Sequence, residues 1–543
     1  MKPSYTFSRA PQVNVPRSVF DLGHGLKTTI GTDYLYPIYG REVLPGDTFE
    51  FSHSLFGRLS TPLTPLMDDL YLDTFFFFVP TRLIDKDFKK LMGESPVGMP
   101  DNNVVVPWLT APEGGVEFNS IYDYFRVRPG VGGIKFCPWK ERAYTYIYND
   151  WFRDANLIEP VPVHGSFDYP APEGAVESID SYRLLKRAKR LDYFTGALPW
   201  PQRGPTSFLP IGSDAPVLAL RDRVADSRGN NVGIMGWNNP ADGNQYQPLE
   251  RALISCEQNG VACAIETNGQ AFPNNAVRVN VTPRNLFADL SEATSVTVNQ
   301  LREAVAVQHL YEAFARGGSN RYIEILRSTF SVQSPDASLQ RSEYLGGSST
   351  LMNVTTVAQT SSSQDNSPLG NLAAFVTVNN RASWKKSFTE HGYIIGVANV
   401  RAELSYSQGL DREDTRRTRL DFYWPQLANL GEQAVLNKEI YAQGTSEDDD
   451  VFGYQERWAE YRYHPNSITG TFRPDHPQSL DVWHLSQEFS SLPSLNQSFI
   501  EENVPIDRVV AVTDEPPVLL WGKFYVKAAR PLPLYSVPGL ERM

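Results

Sequence analysis

The stretch Asp68-Asp-Leu-Tyr-Leu-Asp-Thr-Phe-Phe-Phe-Phe-Val-Pro80 constrains this chain more than any other. Its apolar run is too short and too aromatic for a helix, and Pro80 stops it. It fits a β-strand buried on both faces, because successive side chains of a strand point to opposite sides. A strand with no solvent face needs cover from a second sheet, another domain or a neighbouring subunit.

The chain has 543 residues, more than one ordinary core holds, so two or more packed regions are expected. Its 40 prolines and 38 glycines favour many short strands and long loops over helices, while 41% apolar residues suffice for a globular core. The net charge of −12 argues against a protein that coats DNA through its average field. Any DNA contact must come from local basic patches, or a separate basic partner must supply the charge. Cys137, Cys256 and Cys263 lack metal-type spacing and argue against a disulfide scaffold, in keeping with a reducing compartment. The first ten residues carry no apolar signal region, and no window approaches the roughly 20 apolar residues of a membrane span.

Along the chain, residues 1–20 read as an extended arm with Lys2, Arg9 and Arg17 and no acid before Asp21. Phe49, Phe51, His53 and Leu55 alternate with Thr48, Glu50, Ser52 and Ser54, the mark of a strand with one packed face. Ala143, Ile147 and Trp151 predict a helix from Trp139 to about Asn156, and Leu184, Leu185, Ala188 and Leu191 predict a second over Leu184–Tyr193. Residues 206–282 are rich in Asn, Gly, Pro and Asp and read as a β-rich surface insertion, with strands at Val261–Thr267 and Val277–Val281. Thr297 and Gln300 form a capping box for a helix running to Phe314. Alternating runs at Ala398–Tyr406 and Lys523–Ala528 predict two more strands. Residues 21–205 and 283–543 thus make the two parts of one body. Strands this far apart, joined by long loops, suit a mainly β jelly roll: eight strands in an antiparallel β-sandwich, with a few helices.

Several blocks carry a family likeness. They include Glu42-Val-Leu-Pro-Gly-Asp-Thr-Phe49, the phenylalanine strand, Ala197-Leu-Pro-Trp-Pro-Gln202 and Phe314-Ala-Arg-Gly-Gly-Ser-Asn-Arg-Tyr-Ile-Glu-Ile325. Glu390-His-Gly-Tyr-Ile-Ile-Gly396, Leu430-Gly-Glu-Gln-Ala-Val-Leu-Asn-Lys-Glu-Ile-Tyr441, Ser479-Leu-Asp-Val-Trp-His-Leu485 and Ala529-Arg-Pro-Leu-Pro-Leu-Tyr535 follow in order. In these blocks the chain resembles the major capsid proteins of gokushoviruses, small bacteriophages of the microvirus family. The resemblance implies a viral jelly roll, self-assembly through pentamers into a T=1 shell, and a circular single-stranded DNA genome inside. It implies as partners an internal scaffolding protein, a small basic DNA-binding protein, a minor pilot protein and a host cell-surface receptor met by the insertion near the threefold axis. The expected location is the virion, assembled in the bacterial cytoplasm without membrane insertion.

The sequence holds no recognisable catalytic motif, and neither cofactor nor metal is expected. His391 reads as a structural histidine, and Glu447-Asp-Asp-Asp450 as a solvated acidic loop before a cation site. Arg183, Lys186, Arg187, Lys189 and Arg190 form a basic cluster beside Tyr182, Tyr193 and Phe194. It has two readings: a non-specific single-strand contact on an inner wall, or an exposed or salt-bridged face, with the second the stronger. Arg412, Arg416, Arg417 and Arg419, interleaved with Asp411, Glu413 and Asp414, read as ion pairs between subunits. The rival function is a secreted carbohydrate-binding or carbohydrate-cleaving β protein, which the missing signal region weakens.

Overall fold

The computed structural model describes residues 16–95, 104–201, 340–360, 369–428 and 431–535, with short strands and a helical stretch between 217 and 307. The chain forms two compact units, residues 1–201 with 335–543, and residues 202–334. The expected insertion 206–282 falls within the second unit, which contains short antiparallel pairs such as Ala252–Ser255 with Ala264–Thr267.

The first unit is built from β1 (Ser18–Asp21), β2 (His24–Ile30), β3 (Tyr36–Val43), β4 (Thr48–Leu59) and β5 (Leu70–Pro80), then β6 (Glu343–Leu351), β7 (Asn353–Ala358), β8 (Leu372–Ser387), β9 (Gly392–Ala402) and β10 (Val518–Arg530). One sheet runs in the order β1/β2, β10, β4, β8, β7, and the other β6, β5, β9, β3. Every pairing in both sheets is antiparallel. The chain passes from sheet to sheet in the manner of an eight-stranded jelly roll, so the mainly β sandwich is as expected. Two connections carry most of the remaining mass: residues 81–342 between β5 and β6, and residues 403–517 between β9 and β10.

The core lies between the sheets. Phe49, Phe51 and Leu55 of β4 point inward with Phe524 and Val526 of β10, and meet Leu72, Phe76 and Phe78 of β5 and Ile394 and Val400 of β9. The Phe51 ring lies 4.7 Å from that of Phe76 and 4.9 Å from that of Trp384. Gly396 is required beside them, since a Cβ there would meet the Phe76 ring at 2.5 Å. A polar hub sits in the same layer: Asn380 Oδ1 bonds His53 Nε2 at 2.9 Å and accepts from Thr74 Oγ1 at 3.0 Å and Ser348 Oγ at 2.7 Å. Its amide donates to Leu72 O at 3.0 Å, so the buried amide is satisfied and ties the sheets in one register.

The opposite face of β5 is covered as well. Phe77 and Val79, with Ile395 and Val397 of β9, pack on Ala143, Tyr144 and Ile147 of helix α1 (Trp139–Ile147) and on Phe152. The helix ends earlier than its spacing predicts and continues as one π-helical turn through Phe152. That turn leaves Trp151 partly exposed, with its Nε1 donating to Ser342 Oγ at 2.9 Å. The run predicted from Ala398 to Tyr406 ends as a strand of this sheet at Ala402, with Ser405–Tyr406 in a separate short pair, and its polar residues Asn399 and Arg401 are themselves buried.

The predicted helix over Leu184–Tyr193 is absent; the segment is extended. Lys186 bridges Tyr34, Ala188 bridges Glu501, and the Leu191 side chain faces solvent. Backbone pairing with two other segments satisfies its amides better than one isolated, highly charged turn would. The capping-box helix is seen over residues 301–307; Thr297 and Phe314, the Val277–Val281 strand and the arm as far as residue 15 lie outside the described residues. Replacing the fully buried Phe76 by alanine is expected to cost about 3–5 kcal/mol in denaturant unfolding. Phe56→Ala, on the outer side of β4, is expected to stay within about 0.5 kcal/mol. Equal losses at both sites would contradict this packing.

Candidate functional site

The basic segment 183–190 is a strap between two corners of the fold. Leu35 N–H donates to Leu185 O at 3.0 Å and Arg187 N–H to Asp33 O at 3.1 Å, while Glu502 N–H donates to Arg187 O at 2.7 Å and Lys189 N–H to Ile500 O at 2.8 Å. Its charges are met from distant sequence. Arg187 Nη1 lies 2.8 Å from Asp73 Oδ2, which Arg401 Nε also approaches at 2.9 Å. Lys186 Nζ lies 3.9 Å from Asp33 and 5.4 Å from the Tyr34 ring centroid, and Arg190 sits 3.7 Å from Glu403. Lys189 is only 6% exposed, with its ammonium over the Phe499 ring at 4.8 Å. Arg183 and Arg190 are the exposed members of the cluster.

Burial dominates the electrostatics of this strap. It pushes Glu502 up to about 7, with the Asp33 carboxylate adding to the rise, and Asp33 up to about 6. Burial likewise brings Lys189 down to about 8. Asp33 sits at φ 74°, a left-handed turn that Asp tolerates, and its carboxylate accepts the Val504 N–H at 2.7 Å. The arrangement latches the two long connections to the β2–β3 corner and leaves little free charge for an outside ligand.

The other sequence candidates are also structural. Arg412 pairs with Glu439 at 2.5 Å and Arg416 with Glu460 at 3.5 Å, acids within the chain rather than the neighbouring Asp411, Glu413 and Asp414. In the acidic loop, Asp448 accepts the N–H groups of Gln443 and Gly444 and Asp449 pairs with Lys438. Among the described residues no group of three His, Cys, Asp or Glu side chains could hold a metal ion, and no helix is long and apolar enough to cross a membrane. His391 contributes its carbonyl to Thr81 N–H and packs its ring on Phe88. Burial raises the Cys137 thiol to about 11, whereas Cys256 and Cys263 lie outside the described residues.

Sequence reasoning missed an aromatic display on the connection between β9 and β10. Leu420, Phe422, Tyr423 and Trp424 are all exposed, beside an exposed Tyr461. They are held rigidly nonetheless. Asp421 accepts the N–H groups of Arg417 and Thr418 at 2.9 and 2.7 Å, and Trp424 Nε1 donates to Arg419 O at 2.8 Å. Tyr423 stands edge-on to Trp458 at 5.6 Å, and the Arg416 guanidinium lies 4.8 Å from the Tyr461 ring centroid. Preorganised Trp, Tyr and Arg side chains on a surface are the composition of a protein interface centre. The signal was present as the consecutive Phe422-Tyr-Trp424 run in a loop.

The latch makes a pH prediction. A folded-state pKa above the ordinary value of 4.5 means that the Glu502 contribution favours folding below that pH and is lost as pH rises through about 7. Glu502→Gln mimics the protonated acid throughout. From about pH 5 to about pH 8 the variant should gain on the parent by up to about 3 kcal/mol in denaturant melts; a flat difference would contradict the buried-acid account.

Comparison with known proteins completes the description. A family model described as capsid protein (F protein) matches residues 8–540. The capsid protein VP1 of Bdellovibrio phage phiMH2K is 43% identical, over 98% of this chain and 97% of that protein. The VP1 proteins of Chlamydia phage 1 and Spiroplasma virus 4 are 40% and 36% identical, each over 99% of this chain and 98% of theirs. These relatives lend the carbohydrate-directed alternative no support. With a jelly roll, a surface-displayed aromatic cluster and end-to-end similarity in hand, the chain belongs to the phage capsid protein (F protein) family.

Proposed function

We propose that the chain is the major, non-enzymatic shell protein of a small bacteriophage, assembling through pentamers into a T=1 icosahedral capsid around a circular single-stranded DNA genome. The observation that supports this best is the rigid aromatic cluster at 420–424 on a jelly roll whose connections are latched in place. A monomer gains nothing by holding Phe422, Tyr423 and Trp424 in water. A second copy that covers them removes apolar surface and meets preset rotamers, which limits the entropy lost on association. Closed symmetry repeats that gain at every copy.

On this reading the protein resides in the virion and is assembled in the bacterial cytoplasm. Its partners are an internal scaffolding protein, a small basic DNA-binding protein that supplies cations the shell lacks, and a minor pilot protein. The insertion 206–282 meets the host receptor. Of the basic segment, Arg183 and Arg190 keep the exposure needed to meet a genome, while Lys186, Arg187 and Lys189 serve the fold. Expressed with its helper proteins, the full chain is expected to sediment as particles that appear round by electron microscopy. The double variant Phe422→Ala, Trp424→Ala is expected to melt within about 1 kcal/mol of the parent yet to remain a small oligomer. A parent chain that stays solitary overturns the proposal, as does a double variant that assembles normally.

A further inference from the structure

The outer face of the β1/β2–β10–β4–β8 sheet has a chemistry unlike the rest of the chain. Along β10 buried and exposed residues alternate strictly, which turns Leu519, Trp521, Lys523, Tyr525 and Lys527 away from the core. Strand register fixes what stands beside them. Lys27, Trp521, Phe56 and Asn379 form one row across four strands. The next row holds Lys523, Ser54 and Arg381, the one after it Tyr525, Ser52 and Ser383, and the fourth Lys527, Glu50 and Lys385. On the other side, Arg58 stands opposite Leu519.

Two features of this face require explanation. Trp521 and Tyr525 are each 50% exposed and Phe56 45%, although a solvated sheet face ordinarily carries small polar or charged residues. In a chain of net charge −12, the face also gathers Lys27, Arg58, Arg381, Lys385, Lys523 and Lys527 against Glu50 and Asp21. Two clefts open onto it. One, of 930 Å³, is lined by Lys27, Phe56, Arg58 and Trp521 on the sheet and by Asn119, Asp123 and Arg126 from the long connection. The other, of 500 Å³, lies at Ser52, Ser54, Arg381 and Tyr525. Lys523 Nζ lies 5.2 Å from the Tyr525 ring centroid, so a cation and a stacking surface are presented together.

We propose that this sheet face binds single-stranded nucleic acid, with bases stacking on Trp521, Phe56 and Tyr525 and phosphates held by Lys27, Arg58, Arg381 and Lys523. Cations alone would accept any polyanion. Exposed rings select a strand whose bases are free to leave their own stack, which excludes duplex and offers little to an acidic peptide. Trp521 and Tyr525 stand roughly 13 Å apart along β10, enough to seat separate bases with the Lys523 row between them. The inference rests on the shell reading only in naming the strand as the packaged genome; the binding chemistry belongs to the face itself.

Fluorescence anisotropy of a labelled oligothymidylate with the full-length protein tests it. The parent should bind with an affinity that falls with salt. Trp521→Ala should weaken binding about ten-fold, and Lys523→Gln with Arg381→Gln should reduce the slope of log affinity on log salt by about 1.4. An abasic strand of the same length should bind the parent more weakly and ignore Trp521→Ala. Absence of binding overturns the inference, as does a Trp521→Ala affinity within two-fold of the parent. Polyglutamate or duplex that competes as well as oligothymidylate also overturns it, pointing to an acidic protein or a general polyanion instead. Electron microscopy of the same samples separates the two readings. Particles with unaltered strand binding in the variants refute this inference alone, while a parent that binds the strand but never forms particles refutes the shell reading alone.

Discussion

The double burial of β5 is the constraint from which the rest follows. Phe76 and Phe78 fill the space between the sheets, and Phe77 and Val79 on the reverse side would face water in a bare jelly roll. Covering them takes a layer of protein, and the connection 81–342 begins immediately after Pro80 with the segments that supply it. The segments of that connection between Ile84 and Leu185 are therefore a requirement of the strand. Apolar burial of full side chains, worth about 1.5–3 kcal/mol each, outweighs the cost of ordering α1 against the sheet.

The two sheets end up unequal. The β6–β5–β9–β3 sheet is packed on both faces, which is why Asn399 and Arg401 are buried and must be answered by the Tyr34 carbonyl and the Asp73 carboxylate. Among the described residues, the other sheet is packed on one face only. Charge follows the same division. Cations near the covered sheet are held by Asp33, Asp73 and Glu502 in a latch, whereas those on the open sheet stand among exposed rings. A chain with a net excess of acids can thus present a basic surface without being basic overall.

Much of the sandwich was legible in the sequence, because strand alternation is a local signal. Phe49-Glu-Phe51, the phenylalanine run and Lys523–Ala528 each declare which side packs. The failure at 184–193 has the opposite cause. Leu184, Leu185, Ala188 and Leu191 have helical spacing, yet the segment is decided by pairing with residues 33–35 and 500–502, which no local window contains. The same holds for the charges. The basic cluster reads as an exposed or salt-bridged face, yet its partners cannot be named from the sequence, because Asp73 lies over a hundred residues before Arg187 and Glu502 over a hundred after Lys189. The open face was hidden for a related reason: its rows are assembled from β2, β4, β8 and β10, so Lys27, Phe56, Arg381 and Trp521 become neighbours only through register.

Hydrogen exchange on the full-length protein tests the central claim most directly. If β5 is sealed from both sides, its amides and those of β9 exchange only through global unfolding, and their protection equals the full stability of the unit. The account predicts the slowest exchange across Leu72–Val79 and Ile394–Val400, with β7 and the outer loops far faster. Exchange in Phe75–Phe78 as fast as in the edge strand β7 would contradict it.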